Sequence, residues 1–141
     1  MKYRHLYSWM VLIIFFTGIP CADAAGDGFT AQATSFRLVR AVMCESIENY
    51  EPKSIAVAFS INIGRISCYS AFEGVAETTH VQHKWYRRDE LVTAKRLTLK
   101  PPSWATYSSV QLREDDKGPW RVEIWDSQEQ LVKTLRFSVV D

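Results

Sequence analysis

From Phe36 onward the chain alternates apolar and polar residues with a period of two, and no stretch carries a helical stripe longer than two turns. A chain patterned this way buries one face of each extended segment, so it folds as sheet packed on sheet or as a sheet closed on itself. Residues 36–44 read as a first strand, and the polar run 45–52 reads as a turn that breaks it. Residues 54–70 look like one long or two short strands, with Gly64 at a bulge or corner where a residue lacking a side chain lets the ribbon bend. In residues 80–86, Val81, His83 and Trp85 share one face, expected toward the core, while Gln82 and Lys84 take the other. Residues 90–99 return across Arg87-Arg88-Asp89 as a hairpin that Pro101-Pro102 ends. Residues 104–112 form the next strand, 114–119 a loop, and 120–125 with 131–139 a terminal hairpin in which Trp125 has the opposite parity to Trp120, Val122 and Ile124. About seven short strands predict an all-β, immunoglobulin-like antiparallel β-sandwich, with a closed barrel as the alternative.

The segment before these strands reads as an export signal. Lys2, Arg4 and His5 make a basic start, an apolar run extends from Trp9 to Phe16, Gly18 and Pro20 break it, and Ala22-Asp23-Ala24 supplies small residues at the spacing a signal peptidase reads. Residues 1–24 are therefore expected to be a signal peptide cleaved after Ala24, residues 25–34 a flexible lead, and residues 35–141 one domain. Two alternatives stand beside cleavage. An uncleaved anchor would have to span with an apolar stretch about half the roughly 20 residues a spanning helix needs. A lipoprotein would be acylated at Cys21, where the preceding Pro20 suits that processing poorly. The expected location is periplasmic, with membrane attachment if the leader is retained and no stable membrane span once it is removed.

Cleavage changes the charge. Of 17 Lys and Arg, Lys2 and Arg4 leave, and of 16 acids Asp23 leaves, so the remaining chain carries 15 of each. A net charge of zero gives no basic excess to neutralise phosphates, which argues against nucleic acid as a partner. It also leaves Cys44 and Cys68 as an even pair in an oxidising compartment, where a disulfide is the expected state. In the chain-entropy view a loop of that size contributes roughly 3 kcal/mol.

The remaining polar residues make few chemical patterns. His80 and His83 are an i, i+3 pair on a strand and point to opposite faces, so they do not jointly grip a metal, and no metal or cofactor is expected. His83 between Val81 and Trp85 reads as a structural polar group anchoring two strands. Ser103, Ser108 and Ser109 lack the G-x-S-x-G elbow, and Glu114-Asp115-Asp116 lacks the alternating spacing of a calcium loop. The aromatics are more suggestive. Trp85, Trp104, Tyr107, Trp120 and Trp125 are many for a small domain, and an outward Trp125 together with Tyr107 or Trp104 would offer a flat platform for a sugar ring or an apolar peptide. Alternatively, Trp125 covers the sandwich edge or stacks on Arg121 or Arg136.

Several segments taken in order, Cys44, Cys68-Tyr69-Ser70, His83-Lys84-Trp85-Tyr86, Trp104-Ala105-Thr106-Tyr107-Ser108-Ser109, Gly118-Pro119-Trp120-Arg121-Val122-Glu123-Ile124-Trp125-Asp126 and Phe137-Ser138-Val139, resemble the bacterial domain-of-unknown-function family 2914 (DUF2914) from about Phe36 to the C-terminus. The resemblance implies an exported or membrane-attached domain with an immunoglobulin-like β fold and no established activity. The family tends to place an arginine where Ala105 stands and glycines in the hairpin turns occupied here by Arg88-Asp89 and Glu129.

Three classes of function follow from these readings. The first is a non-enzymatic interaction module of the cell envelope that binds a protein or peptide by an exposed strand edge or an aromatic face. The second is an envelope glycan-binding module that uses Trp104, Tyr107 and Trp125 on polysaccharide. The third and weakest is a small hydrolase built on His83. Lys95, Arg96 and Lys100 read as guards against unwanted strand pairing.

Overall fold

The computed structural model describes residues 35–141. The signal peptide and lead expected at 1–34 lie outside the described residues. Nine strands follow one another: β1 (Arg37–Glu48), β2 (Glu51–Ile55), β3 (Ala58–Ser60), β4 (Arg65–Glu73), β5 (Thr79–Arg87), β6 (Glu90–Leu99), β7 (Ser103–Gln111), β8 (Gly118–Trp125) and β9 (Leu131–Val140). They form a four-stranded sheet in the order β2-β1-β4-β7 and a five-stranded sheet in the order β3-β9-β8-β5-β6. The chain is therefore the all-β sandwich its alternation requires, and it is not a closed barrel. Pairing β4 with β7 in one sheet and β5, β8 and β9 in the other is the strand sorting of an immunoglobulin-like sandwich.

The strand count rises from about seven to nine for a local reason. The polar stretch 45–52 is not a break. β1 runs through it to Glu48, and Asn49 and Tyr50 turn the chain with φ of 50° and 61°. Two consecutive left-handed residues make the tight turn whose twist matches a hairpin, so β2 pairs straight back on β1. The glutamates fit there because Glu45 and Glu48 on β1 and Glu51 on β2 are all exposed to solvent, and Pro52 fits because an edge strand can spare an N–H. Arg88 (φ 47°) and Asp89 (φ 67°) make the same turn between β5 and β6 without glycine. Gly64, with φ of 71°, is the corner between the 3-10 turn Ile61–Ile63 and β4.

β3 departs from antiparallel pairing. This short strand lies parallel to the end of β9, matching Ala58 to Ser138 and Ser60 to Val140. Apart from a few polar residues, the inward rows are apolar: Ile66, Cys68 and Phe72 on β4, Val81 and Trp85 on β5, Val122 and Ile124 on β8, and Phe137 and Val139 on β9 are buried. Phe137 ties together the inner face of the five-stranded sheet through edge-on contacts with Phe59 and Trp85, at centroid distances of 6.0 and 6.2 Å. Each of the larger buried side chains contributes about 1.5–3 kcal/mol in area removed from water. Among the described residues no helix is long and apolar enough to cross a membrane.

Tyr50 is 84% exposed and holds a backbone conformation that costs an L-residue free energy. Tyr50→Gly is expected to stabilise the domain by about 0.5–1 kcal/mol, the relief of the turn being partly offset by the extra freedom glycine brings to the unfolded chain. Chemical denaturation of both proteins checks the sign, which reverses if Tyr50 packs on something.

Candidate functional site

Inside the sandwich the two sheets are tied by polar groups. His83 on β5 is fully buried; its Nε2 lies 3.0 Å from the Ser70 hydroxyl on β4 and its Nδ1 lies 2.9 Å from the Ser108 hydroxyl on β7. Trp85 donates its indole N–H to the same Ser108 oxygen at 3.0 Å. Burial with no counter-charge beside the ring lowers the His83 pKa to about 4, so the imidazole is neutral at pH 7. A neutral ring has one donor and one acceptor nitrogen, and hydroxyls can answer either. A general base must reach a substrate proton, whereas this ring is enclosed by core. It acts here as a cross-link between layers.

Cys44 and Cys68 are buried free thiols, which corrects the expected disulfide. Register supplies the reason. Met43 stands opposite Cys68 and Cys44 opposite Ser67, and directly opposed residues share a face. Cys68 therefore joins Met43 in the core, while Cys44 points to the outer face and donates to the Ser67 carbonyl at 3.6 Å. Burial raises both thiol pKa values, that of Cys44 to about 11. Neither is an activated nucleophile.

The three aromatics singled out from the sequence are not brought together. Trp104 and Tyr107 both lie on β7, three residues apart and so on opposite faces, and Lys100 sits over the Trp104 ring at 5.4 Å. Trp125 is on the other sheet, within a ladder on its outer surface. Lys84 caps its ring at 4.3 Å and its indole N–H donates to Glu123 at 3.0 Å. Glu123 accepts from Arg121 at 2.8 Å, and Arg121 also pairs with Asp89 and stacks 4.1 Å over Tyr86. Burial alone would raise the Glu123 carboxyl, but hydrogen bonds from Arg121 and Trp125 outweigh it and hold its pKa below the usual value. Trp125 thus stacks on a lysine of its own sheet rather than on either arginine.

One lateral side of the sandwich is left partly uncovered. β2 pairs with β1 only from Cys44 onward, and β3 pairs with β9 only from Ser138 onward. Among the described residues, nothing pairs with the outer edges of β1 before Met43 or of β9 before Phe137. Between these edges lies a groove of about 370 Å³, walled by Ala41 and Met43 of β1, Ile55 at the end of β2, Val57 of the β2–β3 link, and Leu135 and Arg136 of β9. Val57 is 74% exposed and Ile55 50%. No local pattern in the sequence marks this groove. The signal that was present, exposed apolar residues flanking a three-residue strand, has meaning only once the pairings are known.

Ser138 donates its N–H outward to the Val57 carbonyl at 3.0 Å, so Arg136 and Thr134, of the same parity, also aim their N–H and C=O groups away from β8. Those are the main-chain groups an added strand would use. Lys133 lies opposite Ile124 on the core-facing row yet remains exposed, a charge of the kind that guards an edge against promiscuous pairing. Among the described residues no cluster of three His, Cys, Asp or Glu side chains is placed to hold a metal.

These features define a small immunoglobulin-like sandwich with a polar internal cross-link and a half-covered edge. The model of a family described as protein of unknown function (DUF2914) matches residues 78–139, and over that stretch the chain is similar to this family. The match takes in nearly all of β5–β9, including Arg136 and the β9 wall of the groove, and stops short of β1–β4. No curated protein matches the chain.

Two outcomes follow from this geometry. His83 is harder to protonate when folded than when unfolded, so its contribution to stability is complete above pH 6.5 and is lost as pH falls from there to about 4, by on the order of 3 kcal/mol. Denaturation curves across that range should show the loss, and His83→Gln should remove this part of the slope; an unchanged slope in the variant refutes it. For the thiols, alkylation after unfolding without reductant should label both the Cys44 and the Cys68 peptides. A linked pair of peptides in the mass spectrum would contradict the free state.

Proposed function

We propose that this chain is an exported, non-enzymatic interaction module of the bacterial cell envelope, which takes up an extended segment of a protein or peptide partner as an added strand along β9. The observation that carries the reading is the edge of β9 from Leu131 to Phe137, unpaired on its outer side among the described residues and lying beside an apolar groove. Adding a strand supplies main-chain hydrogen bonds for affinity, and alternate side chains entering the groove supply selectivity. Export is supported by the leader-like residues 1–24. A bridging rather than catalytic role for His83 is in keeping with a binding module. Glycan recognition by Trp104, Tyr107 and Trp125 has less support, since their rings do not share a surface.

Thr134→Pro tests the reading. It removes an outward N–H from an edge strand, a place where proline leaves the ladder to β8 intact. Selection from a phage-displayed library of linear peptides should yield binders to the native domain, and Thr134→Pro should lose them while keeping its melting temperature within a few degrees. Binders that the variant retains, or no binders at all, would count against strand addition.

A further inference from the structure

The rows of side chains on the outer face of the five-stranded sheet say what the added strand has to carry. Tyr86 on β5, Arg121 on β8 and Arg136 on β9 form one such row, each directly opposite the next. Like charges placed opposite each other on neighbouring strands are unfavourable unless neutralised. Arg121 is answered twice, by Glu123 and by Asp89. Arg136 is in no ion pair among the described residues, and it lines a cavity of about 120 Å³ together with Arg121, a third guanidinium, that of Arg88, and the Asp89 carboxylate, which is paired with Arg121. The row therefore ends in an unanswered positive charge at the sheet's open edge.

Resting on the strand-addition reading, we infer that the partner strand presents an aspartate or glutamate side chain opposite Arg136, set between two apolar residues. The spacing follows from the pleat. Arg136 points to the outer face, so the partner residue paired with it does too, and that residue's neighbours on either side point back toward Leu135 and the groove. The acid completes the row Tyr86, Arg121, Arg136 with the missing negative charge, in a charge-assisted hydrogen bond. The apolar pair covers exposed Ile55 and Val57. Lys133, one pleat away on the groove side, also favours an acidic over a basic partner.

The test uses two synthetic peptides with both termini capped, threonine-flanked and differing only in a central Val-Glu-Val or Val-Gln-Val, so that a terminal carboxylate plays no part. Affinities for the full chain are measured by isothermal titration. The glutamate peptide should bind roughly fivefold more tightly, and the difference should vanish in Arg136→Gln and shrink at high salt. Thr134→Pro should lose both peptides. Equal binding of the two peptides by the native protein, with Thr134→Pro still abolishing both, overturns the acidic requirement and leaves strand addition standing. If neither peptide binds, or Thr134→Pro binds both, strand addition itself fails.

Discussion

A single imidazole holds the two layers of this protein in register. His83 reaches from β5 to hydroxyls on β4 and β7, and Trp85, two residues on, reaches one of the same hydroxyls. Hydrophobic contact is non-directional and would tolerate sheets sliding over one another. Three hydrogen bonds inside a dry core are not tolerant, because a shift leaves buried polar groups unpaired at about 1–3 kcal/mol each. Among the described residues no buried side-chain nitrogen or oxygen lacks a partner, so the cross-link is fully satisfied as built.

That cross-link takes the place of a covalent one. Immunoglobulin-like sandwiches of the antibody kind lock their sheets with a disulfide packed on a buried tryptophan. Here the tryptophan is present as Trp85 and one buried cysteine is present as Cys68, but Cys44 faces the other side of its sheet. The fold keeps the packing and substitutes hydrogen bonds that depend on a neutral histidine. The layers are joined where β4 and β7 face β5, and the opposite side of the sandwich is free to remain open. β2 and β3 are each too short to close it, which leaves the groove and the edge of β9 as the place where the domain meets its surroundings.

Much of the fold was legible from alternation alone. The shared face of Val81, His83 and Trp85 and the outward turn of Trp125 are properties of a period-two chain, and packing preserved them. Other features resisted reading for identifiable reasons. The Asn49-Tyr50 turn carries no glycine, so its left-handed backbone left no compositional mark. The bulge between Leu38 and Arg40 puts Leu38 and Ala41 on the same side, which strict alternation cannot do. The aromatic platform failed because parity places residues on a face without saying which sheet a strand will join.

What the sequence by itself determined is the extended character of the chain, which residues turn inward wherever a strand runs without a bulge, and which charges remain in water; these depend on neighbours one or two residues away. The pairing of Cys44 with Ser67 rather than Cys68, the joining of His83 to two serines far along the chain, and the uncovered length of β9 beside Arg136 were decided only by tertiary structure. They are matters of register and strand order. Those are fixed by contacts between residues distant in sequence, where a slip of one position exchanges every inward side chain for an outward one.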